Sequence, residues 1–225
     1  MFASMEMRWF LGGEPPQSVR TWLDDPRFSV NSEAAQRNGG GRRRFDRYLL
    51  LPQVDSLSIK LRDGKTAEIK RRVADHGVHE ISHHMIGRMT QWYAWTFDLA
   101  RVEAVRWRRE PHDQYWVVVQ KKRWRRKFEI GPHARVTPVD PNRTNLTQAC
   151  VIEVSALTLR GHTWWSLGFE AFGDSPYNTE LALRETLDSA LSFSQRVSLP
   201  VRLGEQASLN YSAWLSLHSA DRPNI

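Results

Sequence analysis

Charged side chains recur at every second position in four segments of the chain. The residues with this spacing are Glu6, Arg8, Lys60, Arg62, Glu68, Lys70, Arg72, Lys121 and Arg123. Residues two apart lie on the same face of a β-strand, so each segment presents its charges together. Lysine and arginine bind phosphate oxygens through charge-assisted hydrogen bonds, and carboxylates bind divalent cations. The spacing favours a site for a phosphorylated anion; the alternative is that each charged face simply points to water.

The composition of the 225-residue chain agrees with an anionic partner. The chain has 32 lysines and arginines against 25 aspartates and glutamates, a formal net charge of +7, and 26 of the basic residues are arginines. Arginine suits planar, bidentate recognition of phosphate or carboxylate. Residues 101–127 alone contain ten basic and three acidic residues, so the charge is concentrated. Hydrophobic residues make up 40% of the chain, which is enough to build a core and excludes wholesale disorder.

Two features exclude other classes of protein. Cys150 is the only cysteine, so the chain can form no intrachain disulfide and no cysteine-based zinc site. No stretch approaches the roughly 18 apolar residues of a membrane helix, and residues 1–10 lack a charged leader followed by an apolar run. We therefore expect a cytoplasmic monomer or homodimer that has no membrane partner.

The elements that must position these side chains are mostly strands. Alternation of apolar and polar residues predicts strands at 4–10, 55–62, 66–73, 78–86, 102–109, 115–130, 148–159 and 163–172. Asp63-Gly64 and Gly161-His162 would form hairpin turns, and 34–41 a loop. Helices are predicted at 17–24 and, capped by Ser175, at 176–193. A closed sheet would turn the charged faces inward, so the fold class predicted is mainly β (α+β): an antiparallel eight-stranded barrel with helices outside.

The order of the charged segments resembles the CYTH-like superfamily, the triphosphate tunnel proteins that include class IV adenylate cyclases, thiamine triphosphatases and inorganic tripolyphosphatases. The motifs that carry the resemblance are Glu6-Met7-Arg8, Asp46-Arg47-Tyr48, Lys60-Leu61-Arg62, Glu68-Ile69-Lys70 and Lys121-Lys122-Arg123, followed by Glu153 and Glu170. They span about residues 4 to 172. Ser4 and Gly168 stand where the family has two further glutamates, so two metal-binding carboxylates are missing.

The resemblance implies a triphosphate tunnel in residues 1–199, with a C-terminal extension at 200–225. Arg8, Lys60, Arg62, Lys70, Arg72, Lys121 and Arg123 would bind the phosphates. Glu6, Glu68, Glu153 and Glu170 would be catalytic, and Glu6, Glu153 and Glu170 would bind Mg²⁺ or Mn²⁺. The implied ligand is a small polyphosphate or a nucleotide, and the implied reaction is metal-dependent triphosphate hydrolysis. The missing carboxylates also leave open a noncatalytic binding or scaffold protein on the same fold.

A third function class rests on the basic run at residues 121–127. Six of its seven residues are lysine or arginine, and the seventh is Trp124. This composition is typical of a nucleic-acid patch, because phosphate contacts supply most of the affinity for nucleic acid. A basic nucleic-acid-binding β domain is therefore the alternative to a binding site inside the barrel.

Overall fold

A computed structural model of the chain describes residues 2–28, 43–99, 115–192, 199 and 201–219. The strands are β1 (Phe2–Gly12), β2 (Arg44–Leu49), β3 (Leu57–Arg62), β4 (Thr66–Ser82), β5 (Met85–Asp98), β6 (Trp116–Ile130), β7 (Val136–Val139), β8 (Ala149–Leu159) and β9 (His162–Phe172). The helices are α1 (Gln17–Leu23), α2 (Pro176–Ser192) and α3 (Tyr211–His218). The predicted strand at 102–109 and the predicted loop at 34–41 lie outside the described residues.

Eight of these strands close into an antiparallel barrel. The strand order is β2-β3-β4-β5-β1-β9-β8-β6, and β6 pairs with β2 to complete the ring. Residues 116–121 of β6 pair with β2, whereas residues 127–130 pair with β7, which lies beside the ring. The mainly β, eight-stranded barrel predicted from the alternating charges is confirmed. No helix of the described segments has the length and apolar character that a membrane crossing requires.

Local signals placed several elements correctly. Asp63 and Gly64 have φ angles of 48° and 65°, the left-handed pair that a tight two-residue hairpin requires. The predicted helix at 17–24 is observed as α1. The predicted helix at 176–193 is observed as α2, and the Ser175 hydroxyl accepts a hydrogen bond from the backbone N–H of Asn178 at 3.1 Å.

The predicted strand at 78–86 is wrong. β4 continues to Ser82, and the chain turns back at His83 and His84 before β5 begins. Register shifts interrupt the pairing of β4 with β5, and Gly77 has a φ of 81°, so the strand bends and its alternation breaks. The turn itself contains neither glycine nor proline. Alternation did not predict the strands β2, β5 and β7, and the helix α3 was not predicted either.

The two faces of the barrel wall pack differently. In β1 the residues Met5, Met7 and Trp9 point outward into the main apolar core, which also contains the α2 residues Leu183 and Leu187. The alternate residues point inward, because side-chain direction in a strand has a period of two. The helices α1 and α2 therefore cover one wall from outside, while the interior holds the charged residues and has one apolar end.

The helix α3 lies across that apolar end of the barrel interior. Trp214 stacks on Phe10 with ring centroids 4.6 Å apart, and Tyr211 stacks on Tyr48 at 5.5 Å. Asn210 caps the helix by accepting a hydrogen bond from the backbone N–H of Ala213 at 3.0 Å. Residues 201–219 thus pack on the barrel, and the predicted boundary between residues 199 and 200 stays a prediction.

Candidate anion-binding site

The barrel encloses a cavity of about 270 Å³ whose walls are strongly charged. All eight barrel strands contribute to it, and the residues before and at the start of α3 complete it. Four carboxylates line it, those of Glu6, Glu68, Glu153 and Glu170. The basic side chains that line it are Arg8, Arg44, Lys60, Arg62, Lys70, Lys121, Arg123, Arg125 and Lys127. Nine cations against four anions give the cavity an excess of five positive charges when all are ionised.

Most residues predicted for the site lie in this cavity. All four predicted glutamates line it, and so do six of the seven predicted phosphate-binding residues. The exception is Arg72, which donates to both Asp55 oxygens at 2.9 and 3.0 Å and lines an adjoining cavity of about 100 Å³. The cavity residues that sequence reasoning did not assign to the site include Arg44, Arg125 and Tyr211.

Arg8 is one of the two most deeply buried cations of the cavity, together with Lys121. Its Nε donates to Glu6 Oε1 at 2.6 Å, and its Nη1 lies 3.4 Å from Glu153 Oε1 and 3.3 Å from Ser166 Oγ. Burial alone would raise the pKa of Glu6, but Arg8 and Lys70 outweigh it and lower that pKa below its ordinary value. The guanidinium therefore stays paired and charged inside the barrel.

Lys70 bridges two carboxylates on neighbouring strands. Its Nζ lies 2.5 Å from Glu170 Oε1 and 3.9 Å from Glu6 Oε2. Glu6 and Glu170 are directly opposite each other in the pairing of β1 with β9. Burial would lower the pKa of Lys70, but Glu170 and Glu6 outweigh it and raise that pKa above its ordinary value. The Lys70 ammonium thus lies between these two carboxylates, closer to Glu170 than to Glu6.

Glu68 forms the third ion cluster, with two cations from β3. Lys60 pairs with Glu68 Oε1, and Arg62 Nη2 donates to Glu68 Oε2 at 2.8 Å. Burial opposes ionisation of Glu68, yet Lys60, Lys70 and Arg62 lower its pKa to about 2. The pKa of Lys60 falls to about 8, because burial outweighs its attraction to Glu68.

Lys121 lines the cavity where it borders the rings of Tyr48 and Tyr211. Its Nζ lies 2.5 Å from Tyr48 Oη, 3.3 Å from Asp46 Oδ2 and 3.7 Å from the centre of the Tyr211 ring. Burial lowers the pKa of Lys121 to about 7, although Asp46 opposes that shift. This lysine therefore titrates near neutral pH, where an ordinary lysine remains fully charged.

The basic run at 121–127 is divided between the two faces of β6. Lys121, Arg123, Arg125 and Lys127 line the cavity. On the opposite face, Arg126 is buried and donates to Asp24 Oδ1 at 2.6 Å, and the Lys122 ammonium lies 5.1 Å from the centre of the Trp124 ring. The run is therefore not a continuous exposed patch.

The glutamates predicted to bind metal do not converge on one point. Within the described ranges, no three or more histidine, cysteine, aspartate or glutamate side chains form a group that could hold a metal ion. Glu6 and Glu170 share Lys70, and Glu153 pairs with Arg8 and Arg123. As they are paired, these carboxylates do not fit Mg²⁺ or Mn²⁺, which need several free oxygen ligands. Binding of either ion stays a prediction.

Comparison with known proteins gives distant structural likenesses only. No family model matches the chain, and no curated protein sequence matches it. A solved structure that resembles it is that of a Bacillus halodurans protein provisionally assigned as an adenylate cyclase. The two chains are 10% identical, the alignment covers 84% of this chain and 91% of the other, and the TM-score is 0.37. A likeness at that level carries no functional information; the barrel rests on the strand pairing described above.

Gly168 gives Arg8 the space that it occupies. In the β9 strand Gly168 is directly opposite Arg8, and a Cβ atom built on it would lie 2.5 Å from Arg8 Cζ. We expect Gly168→Ala to lower the free energy of unfolding by about 1–3 kcal/mol, because the guanidinium must leave its carboxylate partners. Urea denaturation measures this. Gly12→Ala, where a Cβ meets no atom within 4 Å, is the matched control, and equal effects of both variants would contradict the prediction.

Proposed function

We propose that the barrel binds a small polyphosphate-bearing anion, inorganic tripolyphosphate or a nucleoside triphosphate, in its interior cavity. The observation that carries the proposal is the excess of basic over acidic side chains, nine against four, on the walls of one cavity inside the barrel. Cations in a partly enclosed site of reduced dielectric attract an anion more strongly than the same cations on a surface. A single phosphate would leave most of that excess uncompensated, which favours a ligand with several linked phosphates.

Two polar groups of the cavity support this assignment because the described residues leave them without an ionic or hydrogen-bonding partner. Arg125 lines the cavity and forms no salt bridge with any described carboxylate, and burial next to Arg123 lowers its pKa. The Tyr211 hydroxyl is buried and has no hydrogen-bond partner among the described residues. Phosphate oxygens would accept hydrogen bonds from both groups and relieve the cost of leaving them unpaired.

The resemblance of the motif order to the CYTH-like superfamily supports the same class of ligand. It would add hydrolysis of the bound triphosphate with help from a divalent ion. The carboxylates favour binding without hydrolysis instead, because each is engaged by a lysine or arginine. A carboxylate with a pKa near 2, like that of Glu68, is also a weak general base at neutral pH. We therefore place ligand binding first and hydrolysis second.

The test combines a binding assay with a turnover assay. Isothermal titration calorimetry with tripolyphosphate and ATP should show saturable binding, and phosphate-release assays with Mg²⁺ and with Mn²⁺ decide whether hydrolysis follows. Duplex DNA is the comparison ligand, because an enclosed cavity admits a compact anion and a surface patch binds the polymer. Tighter binding of duplex DNA than of tripolyphosphate would overturn the proposal in favour of the nucleic-acid alternative.

Arg62 allows the contribution of one cavity cation to be measured. Its side chain is 33% exposed, at the rim of the cavity, and its removal leaves Glu68 paired with Lys60 and does not touch the contacts of Arg8 and Lys70. We expect Arg62→Ala to weaken tripolyphosphate binding roughly tenfold, the value of one charge-assisted hydrogen bond to a phosphate. Arg71→Ala, which removes an exposed arginine of the same sheet outside the cavity, is the matched control. Unchanged affinity in Arg62→Ala would place the ligand elsewhere.

A further inference from the structure

The pairing of β1 with β9 places two carboxylates side by side inside the barrel. Glu6 and Glu170 are directly opposite in the register, and neighbouring like charges on one face of a sheet repel. Such a pair is stable only with a cation between its members or a proton on one of them. The structure supplies the cation from the chain itself, since Lys70 Nζ contacts Glu170 and lies 3.9 Å from Glu6.

The next position along the same strands repeats this arrangement with arginine. Gly168 is opposite Arg8 in one pairing and opposite Glu153 in the other, so these three residues form one row across the barrel wall. The Arg8 guanidinium lies over Gly168 and contacts both Glu6 and Glu153. A larger side chain at position 168 would exclude it from that place. The chain therefore supplies the cation of this row as well, in the form of the Arg8 guanidinium.

Lys70 and Arg8 neutralise the negative charge of the carboxylates that a metal ion would need as ligands. Glu6, Glu153 and Glu170 have their oxygens directed at Arg8, Lys70 and Arg123. A divalent ion entering between Glu6 and Glu170 would have to displace the Lys70 ammonium. Lys70 also stays charged through the physiological range, because its carboxylate partners raise its pKa. Positive charge is thus fixed in the wall before any ligand enters.

We infer that the cavity binds its polyphosphate as the metal-free anion, with Lys70 and Arg8 in the positions that a divalent cation would otherwise occupy between the carboxylates. The inference rests on the proposed function and adds the ionic form of the ligand. Magnesium would then compete with the protein for tripolyphosphate instead of assisting its binding. Affinity measured in EDTA should equal or exceed affinity measured in excess Mg²⁺.

The Lys70→Ala variant tests the substitution of an ammonium for a metal ion directly. In EDTA we expect this variant to bind tripolyphosphate at least roughly tenfold more weakly than the unchanged protein. Mg²⁺ or Mn²⁺ should recover part of the loss, because Glu170 then lacks its cation and Glu6 keeps only Arg8, so a divalent ion can enter between them. Titration with Mn²⁺ alone should likewise show uptake by the variant and none by the unchanged protein.

Lys65→Ala is the matched control for charge. Lys65 is exposed in the turn between β3 and β4 and does not line the cavity, so its loss should leave both measurements unchanged. Lys70→Arg keeps a cation at the same place and should bind tripolyphosphate in EDTA. Binding by this variant would show that the position tolerates substitution, so that the loss in Lys70→Ala can be assigned to the missing charge.

The outcomes separate this inference from the proposed function. Tripolyphosphate binding by the unchanged protein that requires Mg²⁺ would overturn the inference and leave the proposed function standing. Lack of binding both in EDTA and in Mg²⁺ would remove the proposed function itself. A loss in Lys70→Ala that neither metal recovers, without Mn²⁺ uptake, would overturn the role given to Lys70.

Discussion

Replacement of Arg8 with alanine is expected to lower the free energy of unfolding by about 3–5 kcal/mol, the cost of breaking a buried ion pair from one side. Arg8 is only 5% exposed and pairs with both Glu6 and Glu153. Its removal leaves two interior carboxylates with a weaker set of partners. Urea denaturation at neutral pH measures the change, and Arg71→Ala, on the exposed side of β4, should stay within about 0.5 kcal/mol of the unchanged protein.

The pH dependence of this loss distinguishes charge from packing. Glu6 and Glu153 have folded-state pKa values below the ordinary value, so their pairing adds stability above about pH 4.5 and loses it as the pH falls through those lower values. In Arg8→Ala the same carboxylates are buried with less compensation and take up protons at higher pH. The difference between the two proteins should therefore shrink between pH 7 and pH 3.5. A difference that is constant over this range would assign the effect to lost packing.

Affinity for tripolyphosphate is expected to fall on the order of a hundredfold between pH 6 and pH 9. Lys121 has a pKa of about 7 and Lys60 a pKa of about 8 in the protein without ligand. Both are charged at pH 6, and both lose protons as the pH rises to 9. A bound polyanion favours their charged forms, so binding above pH 7 must be accompanied by proton uptake.

Calorimetry can measure both the affinity and the protons. Titrations at several pH values give the slope of the logarithm of the affinity against pH. Titrations in two buffers of different ionisation enthalpy give the number of protons taken up. Lys121→Met should show a shallower slope and less proton uptake, whereas Lys65→Ala should match the unchanged protein. The ligand's own titration is common to all three proteins and cancels in the comparison. Identical slopes for Lys121→Met and the unchanged protein would exclude Lys121 from the linkage.

The cavity-facing residues were predictable because a closed barrel preserves the period of two in its strands. Lys60 and Arg62 illustrate this, since their spacing alone placed them on one face and closure turned that face inward. Arg125 and Lys127 continue the spacing of Lys121 and could have been assigned by the same rule. As members of the basic run at 121–127 they were considered only for nucleic-acid binding, although alternation divides that run between the two faces of β6.

The partners of these residues could not be predicted, because they depend on register and on distant segments. That Gly168 would lie opposite Arg8 follows from the alignment of β1 with β9, which no local pattern specifies. Arg72 has the correct spacing but pairs with Asp55, in the segment that precedes β3. The helix α3 is eight residues long and is fixed by contacts such as Trp214 on Phe10, about two hundred residues away in the chain.

The position of α3 limits the direction from which a ligand can enter the barrel. The helix α3 lies across one end of the barrel interior. The partly exposed side chains of Arg62 and Arg123 lie at the rim of the cavity. We expect a linear polyphosphate to enter this cavity terminal phosphate first, with any nucleoside or other attached group toward Arg62 and Arg123. Discrimination would then depend on the length of the phosphate tail, with little regard to what it is attached to.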